Sequence, residues 1–188
     1  MSFRLRFATV DDELELRALI ARSARLLSLG EYTPEQVEGA LRGSFGVDSQ
    51  LVLDRTYFVV EEDGKIIGCG GWSKRRTLFG GNAHTVRDAT ELDPATDAAR
   101  IRAFFVDPDH ARRGIGRALL ERCELEAQAK GFRKFELAGT LPGVRFYTAM
   151  GYSAGELFSQ PLGDGLSIDF IRMTRQDTTP RSGLVLPN

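Results

Sequence analysis

The stretch that most constrains this chain is Phe104-Phe105-Val106-Asp107-Pro108-Asp109-His110-Ala111-Arg112-Arg113-Gly114-Ile115-Gly116-Arg117-Ala118-Leu119-Leu120, within residues 100–130. It reads as a buried strand, a proline turn, a basic glycine loop and a long helix. Ile101, Ala103, Phe104, Phe105 and Val106 form an apolar run of β type, which Asp107-Pro108 should end. Ile115, Leu119, Leu120, Cys123 and Ala127 then recur at helical spacing, and Gly131 closes the helix. Gly114 and Gly116 sit where loop becomes helix. Without side chains there, an anion can approach the free N–H groups of the first turn, and Arg112, Arg113 and Arg117 add positive charge. Residues 112–118, Ala118 included, therefore read as a site for a phosphate group. A Gly-x-Gly pair alone often makes only a turn; the strand before it and Phe146-Tyr147 after it give this one weight.

The flanking chain supplies the other elements. Residues 3–9 alternate Phe3, Leu5 and Phe7 with Arg4 and Arg6, a half-buried strand. Thr9 or Asp11 can cap the next helix, whose apolar side is Leu14, Leu16, Leu19, Ile20, Leu26 and Leu27 before Gly30. Thr33-Pro34-Glu35-Gln36 is a second helix start, with Thr33 as N-cap and Gln36 closing a capping box. Residues 47–55 are ambiguous: Leu51-Val52-Leu53 suits a short helix or a strand. Residues 56–62 and 65–73 form a hairpin about Asp63-Gly64, and Gly68, Gly70 and Gly71 signal bulges or close backbone approach. A polar stretch without periodicity runs from Lys74 to Asp97; segments of that length are functional, mobile or solvated insertions. A strand over 133–138, a short helix over 142–150 and an antiparallel pair over 152–160 and 166–175 complete the order β-α-α-β-β-β-α-β-α-β-β. That order gives an α/β or mixed α+β class, in one domain over 1–175 with a loose tail over 176–188.

Composition narrows the function. With 188 residues, 42% hydrophobic and 27% charged, the chain can bury a core unaided. A net charge of −1 provides no global field for nucleic acid. Cys69 and Cys123 lie in apolar contexts and read as buried thiols. No apolar signal core follows Met1 and no run approaches membrane-spanning length, so a cytoplasmic protein with no membrane or nucleic-acid partner is expected. No Cys/His spacing suggests a metal.

The central stretch resembles motif A of the GNAT superfamily of acyl-CoA-dependent N-acetyltransferases, Gln/Arg-x-x-Gly-x-Gly/Ala after a strand and a Val-x-Pro-like turn. Here it is Ala111-Arg112-Arg113-Gly114-Ile115-Gly116, with Ala111 departing from the first position. Phe146-Tyr147-Thr148-Ala149-Met150-Gly151-Tyr152 resembles motif B, Phe-Tyr-x-x-x-Gly-Phe/Tyr. The resemblance spans about residues 3–175. It implies a twisted mixed sheet with helices on both faces and acetyl-CoA as co-substrate. It further implies a small-molecule or peptide amine as acceptor, direct attack without a covalent enzyme intermediate, and a homodimer; the last strand pair, with Leu166, Ile168, Phe170 and Ile171, offers apolar positions near an edge.

Amide formation from a thioester needs a neutral amine, a polarised carbonyl and help for the departing thiolate. The resemblance assigns the carbonyl to backbone at Phe105-Val106, in the cofactor-lined run Phe104-Phe105-Val106, and the thiolate to Tyr147. A phenol near 10 is a weak donor to a thiol near 8.5, so a hydrogen bond that strengthens with charge describes Tyr147 better than full proton transfer. The family often carries an Asn just before this Tyr; Pro142 in Thr140-Leu141-Pro142-Gly143 cannot make its amide contact. The strand 100–106 has no carboxylate to act as base. Glu31, Glu61, Glu62, Asp93 and Asp97 are candidates that also read as surface charges, as do His84 and His110. Trp72 suits a core or an acceptor platform, and Lys74-Arg75-Arg76 a solvated face or a site for an acidic acceptor. Two other functions fit parts of the pattern. A dinucleotide-binding domain would use Gly114-x-Gly116 with Glu136 on a ribose, but Leu119 replaces its third glycine and five residues separate strand from loop. A non-catalytic acyl-CoA-binding module would keep the glycines and need no Tyr147 chemistry.

Overall fold

A computed structural model describes residues 3–82 and 88–177. Strand β1 (Arg4–Phe7) leads through a single 3-10 turn into α1 (Glu13–Leu27). The turn is locked because Asp12 accepts from the Thr9 N–H at 2.7 Å and from the Arg6 guanidinium at 2.8 and 2.9 Å. Helix α2 (Pro34–Leu41) begins with the expected capping box: the Gln36 N–H donates to Thr33 Oγ1 at 3.2 Å, and the Thr33 N–H to Gln36 Oε1 at 2.9 Å. The ambiguous stretch is helical, α3 (Ser49–Leu53), because Asp48 caps it through the Gln50 N–H and Leu51 is fully buried.

The hairpin of β2 (Tyr57–Glu62) and β3 (Lys65–Ser73) turns on Asp63 and Gly64, both at positive φ as a primed turn requires. Strand β4 (Ala99–Val106) follows the long polar stretch, then α4 (Ile115–Ala129), β5 (Lys134–Thr140), α5 (Val144–Ala149), β6 (Ser153–Gly163) and β7 (Leu166–Gln176). One mixed sheet holds all seven strands in the order β1-β2-β3-β4-β5-β7-β6. The element order matches the expected one with α3 added.

Helices cover both faces. On one, Ile115, Leu119, Leu120, Cys123 and Ala127 of α4 pack on Phe58, Val60, Ile67, Ile101 and Phe135. A Cβ on Gly68 would lie 2.6 Å from Ile115, and one on Gly70 2.7 Å from the Phe104 ring, so these glycines let α4 and Phe104 lie directly on β3. On the other face, Leu16, Leu19, Ile20 and Ala24 of α1 join Val37, Ala40, Tyr57, Val59 and Phe170. Leu14, Leu26 and Leu27 depart from the expected apolar side and are 81%, 48% and 41% exposed. Leu14 and Leu26 each stand two positions outside the buried run from Leu16 to Ala24, about 200° around the helix from its end residue, and Leu27 lies beyond the run at the last residue of α1. Cys69 and Cys123 are free, buried thiols on opposite faces, and desolvation pushes Cys69 up to about 12. Trp72 is core, edge-on to Phe132 at 5.9 Å, and not an acceptor platform.

Two expectations at the C-terminal end change. Strand β7 lies between β5 and β6, so Ile168 and Phe170 are buried and the sheet edge is β6, with Leu157 exposed. Strand β7 also runs to Gln176, and Asp177 is held through its N–H to the Arg133 carbonyl at 2.7 Å and an ion pair with Arg133 at 2.8 Å. The first two residues of the expected tail therefore belong to the fold; 178–188 lie outside the described residues. Among the described residues no helix is long and apolar enough to cross a membrane.

Candidate active site

The site begins as a defect in the sheet. Strands β4 and β5 pair in parallel only at Ala99–Phe135 and Arg100–Glu136 and then part. Each is held by its other neighbour: β4 by β3, and β5 by β7 along its whole length from Lys134 to Thr140. A bulge adds to the divergence. The β3–β4 register shifts between Cys69 and Gly71, opposite Ala103, which takes a left-handed φ of 55°. A non-glycine residue in that region costs on the order of 1–2 kcal/mol, here held in place by strand pairing on both sides of it. The Tyr57 hydroxyl donates to the Ala103 carbonyl at 3.4 Å. Beyond the bulge the Val106 N–H points away from β3 and donates to Ser23 Oγ of α1 at 3.3 Å.

The gap opens into a cavity of about 580 Å³ that reaches both faces of the sheet. On the α4 side its walls include Phe104, Val106, Ile115, Phe146 and Tyr147; on the α1 side, Phe45, Phe79, Ala103, Phe105, Ala138 and Phe170.

The glycine loop forms one rim. Arg112 (φ 64°) and Gly114 (φ 85°) are left-handed with Arg113 between them, and Gly114 is the N-cap of α4. Alternating hand of this kind turns successive N–H groups toward one point. The Ala118 N–H closes on the Gly114 carbonyl at 3.0 Å, so the N–H groups of Ile115, Gly116 and Arg117 precede the first helical bond. A Cβ on Gly116 would sit 3.3 Å from the Phe146 ring; its smallness lets α5 approach α4. Arg112 and Arg117 are exposed, whereas Arg113 is turned to Glu62 at 2.7 and 2.9 Å, which makes it a brace to β2. A second brace joins Arg22 of α1 to Asp107 and, at 2.7 Å, to Asp109. His110 belongs to this frame, with Nδ1 3.0 Å from Asp107, and is half-buried where a solvent-facing ring was expected.

Tyr147 is buried and touches the rings of Phe104, Phe146 and Tyr152 at 6.4, 5.0 and 5.8 Å. Its hydroxyl has no hydrogen-bond partner among the described residues. Desolvation, with the nearby Cys123, holds its phenol well above the usual value of 10. Tyr152 differs: its hydroxyl donates to Glu124 at 2.8 Å, and Arg175 donates to the other Glu124 oxygen at 2.6 Å. This buried network, unread in the sequence, ties Tyr152, between α5 and β6, and Arg175 of β7 to Glu124 of α4. The peptide just before Leu141-Pro142 is held by Tyr32, whose hydroxyl accepts from the Leu141 N–H at 2.8 Å.

The candidate bases disperse. Glu61 pairs with Arg6, Glu62 with Arg113, and Asp93 and Asp97 cap their own turn. None of them, nor Glu31 or His110, lines the cavity. His84 lies outside the described residues. Lys74, Arg75 and Arg76 pair with Glu91, Asp54 and Asp97 at 2.6, 2.7 and 3.9 Å and make no patch for an acidic acceptor.

The polar stretch that follows them folds back on itself: the Arg76 N–H meets the Thr90 carbonyl, and the Leu92 N–H the Lys74 carbonyl. Between them Leu78, Phe79 and Gly80 line the cavity. Sequence periodicity could not reveal this wall, because its anchors are single contacts. Asn82 accepts from the Ser49 N–H and hydroxyl at 2.8 and 2.9 Å, and buried Arg102 donates to the Gly80 carbonyl at 2.7 Å.

Comparison with known proteins accords with this geometry. The family model for the acetyltransferase (GNAT) family matches residues 29–152, about two-thirds of the chain. The chain belongs to the GNAT acetyltransferase family. Solved structures share the fold at low identity. A GCN5-related N-acetyltransferase from Rhodopseudomonas palustris has a TM-score of 0.70 at 18% identity, covering 94% of this chain and 96% of its own. PaiA N-acetyltransferase from Thermoplasma acidophilum, solved with coenzyme A, gives 0.64 at 18%, covering 94% and 99%. YncA from Salmonella typhimurium, solved with its cofactor acetyl-CoA, gives 0.61 at 17%, covering 100% and 99%. The seven-stranded mixed sheet with helices on both faces is the GNAT fold.

Proposed function

We propose that this GNAT protein transfers the acetyl group of acetyl-CoA to a primary amine of a small molecule or peptide by direct attack. The observation that carries the proposal is the β4–β5 gap, which brings the N–H-rich start of α4, Tyr147 and the bulged end of β4 to one cavity open on both faces. The residues fit acetyl-CoA. Left-handed Arg112 and Gly114 and the first turn of α4 offer main-chain N–H groups to a pyrophosphate, with Arg112 and Arg117 exposed beside them. Phe104, Val106, Ile115 and Phe146 offer an apolar channel from there to Tyr147.

Acetyl-CoA supplies an activated acyl carbon with a thiol leaving group. The chain aligns that carbon with the amine and excludes water. As the C–N bond forms and the C–S bond breaks, the nitrogen gives up a proton and the sulfur leaves as a thiolate that ends as a thiol. The main chain of residues 104–106 is placed to polarise the carbonyl. The Val106 N–H is held by Ser23 Oγ, so pairing with this group requires Ser23 to yield it or to share it. Tyr147 lines the gap, and its hydroxyl makes no hydrogen bond among the described residues. Its raised pKa keeps the proton on the phenol and suits a hydrogen-bond donor to the developing thiolate, not an acid that surrenders it.

Incubation with acetyl-CoA and pools of primary amines tests the proposal. The expected result is thiol release that depends on amine, with a matching N-acetyl product by mass spectrometry. Tight acetyl-CoA binding without amine-dependent thiol across a broad panel would contradict it and leave a binding module.

A further inference from the structure

The α1 side of the cavity has a chemical character of its own. Leu27, Phe45, Leu78, Phe79, Phe105 and Phe170 line it. Four of the rings interlock: Phe45 is edge-on to Phe105 and Phe170 at 5.8 and 6.2 Å, and Phe79 lies 5.3 Å from Phe170. Such contacts fix ring positions, so the wall is preformed. It is also anchored by Arg102 on the Gly80 carbonyl and by Asn82 on Ser49. The charged residue on this side is Arg102, 5% exposed and paired with Asp48 at 2.8 Å; Asp48 is off the wall. Among the described residues, no carboxylate or imidazole lines the cavity.

An ammonium entering this space would give up hydration, meet aromatic rings and the Arg102 guanidinium, and find no carboxylate on the described wall. An alkyl amine with a pKa of about 10.4 is neutral in only about one molecule in a thousand near pH 7.4. An amine whose lone pair is delocalised into a ring is neutral there and needs no base.

We propose that the acceptor is a compact aromatic amine that enters uncharged, its ring against Phe45, Phe79 and Phe170 and its nitrogen toward the β4–β5 gap. This rests on the acetyl-transfer reading and adds the substrate class to it. Burial of one ring predicts an affinity advantage on the order of 10- to 100-fold over a polar amine of similar size.

Calorimetry on the full chain saturated with coenzyme A tests this, with 4-methylaniline, phenethylamine and spermidine as probes. 4-Methylaniline should bind at least about tenfold tighter than spermidine, with an affinity that is flat between pH 7 and pH 9. Phenethylamine should tighten over that range in step with its neutral fraction. Phe79→Ala should weaken both aromatic probes on the order of tenfold. Leu78→Glu, which leaves the ring cluster intact, should shift preference toward spermidine. Equal or tighter binding of spermidine by the parent protein, or phenethylamine affinity independent of pH, would overturn the assignment. The ranking is read from binding, so it stands or falls whether or not thiol is released. The predicted ranking without thiol release would count against the transfer reading alone.

Discussion

At the scale of single residues, Gly114 and Tyr147 carry the most testable chemistry. Gly114 has open space where a Cβ would go, yet its φ of 85° is one that a β-branched residue resists. Gly114→Val should therefore distort the N–H cradle and weaken acetyl-CoA binding by calorimetry at least about tenfold, since strain of 1–3 kcal/mol is at stake. Arg112→Ala, which removes one exposed charge, should cost about threefold or less. Equal losses would point to a charge patch in place of a backbone cradle. Tyr147→Phe keeps the ring that touches Phe104, Phe146 and Tyr152, so melting temperature and acetyl-CoA affinity should stay near the parent values. Turnover should fall on the order of 10- to 1000-fold, the effect of losing one transition-state hydrogen bond. The raised phenol pKa adds that no loss of rate between pH 8 and 10 should trace to Tyr147 ionisation; an alkaline limb abolished by Tyr147→Phe would contradict this.

At the scale of elements, legibility followed the range of the interactions that fix each one. The α4 helix could be read because its apolar spacing, its glycine entry and Gly131 all lie within one stretch, and all five of its predicted apolar residues are buried. The α2 capping box and the Asp63-Gly64 turn were equally local. The α3 helix could not be decided, since Leu51-Val52-Leu53 fits either period and the decision rests with Asp48 and the core beneath Leu51. The same limit hid the aromatic wall on the α1 side. Phe79 sits in a polar, aperiodic stretch, and contacts with residues distant in the chain, Phe158 of β6 and Phe170 of β7 among them, give it a place. Arg113 stands in the loop that reads as a phosphate site, and its guanidinium pairs with Glu62, 51 residues away. Spacing along the chain cannot foresee a partner on another strand.

At the scale of the whole molecule, one architectural fact shapes the site: a sheet held together on either side of β4 and β5 and open between them. The glycine loop and Tyr147 lie on the α4 face, the aromatic wall on the α1 face, and the gap joins them. Ala138 of β5 stands on the α1 side of that gap and away from the glycine loop, so a large side chain there plugs the passage without touching the α4 rim. The most direct measurement is therefore acetyl-CoA affinity and amine-dependent thiol release on Ala138→Trp beside the parent protein, with melting temperature confirming that both are folded. The account predicts cofactor affinity within a few-fold of the parent and turnover reduced at least about 100-fold, because the acceptor can no longer meet the acyl carbon in line. A folded Ala138→Trp protein that releases thiol at the parent rate would contradict it, and would mean that the two substrates meet somewhere other than the gap between β4 and β5.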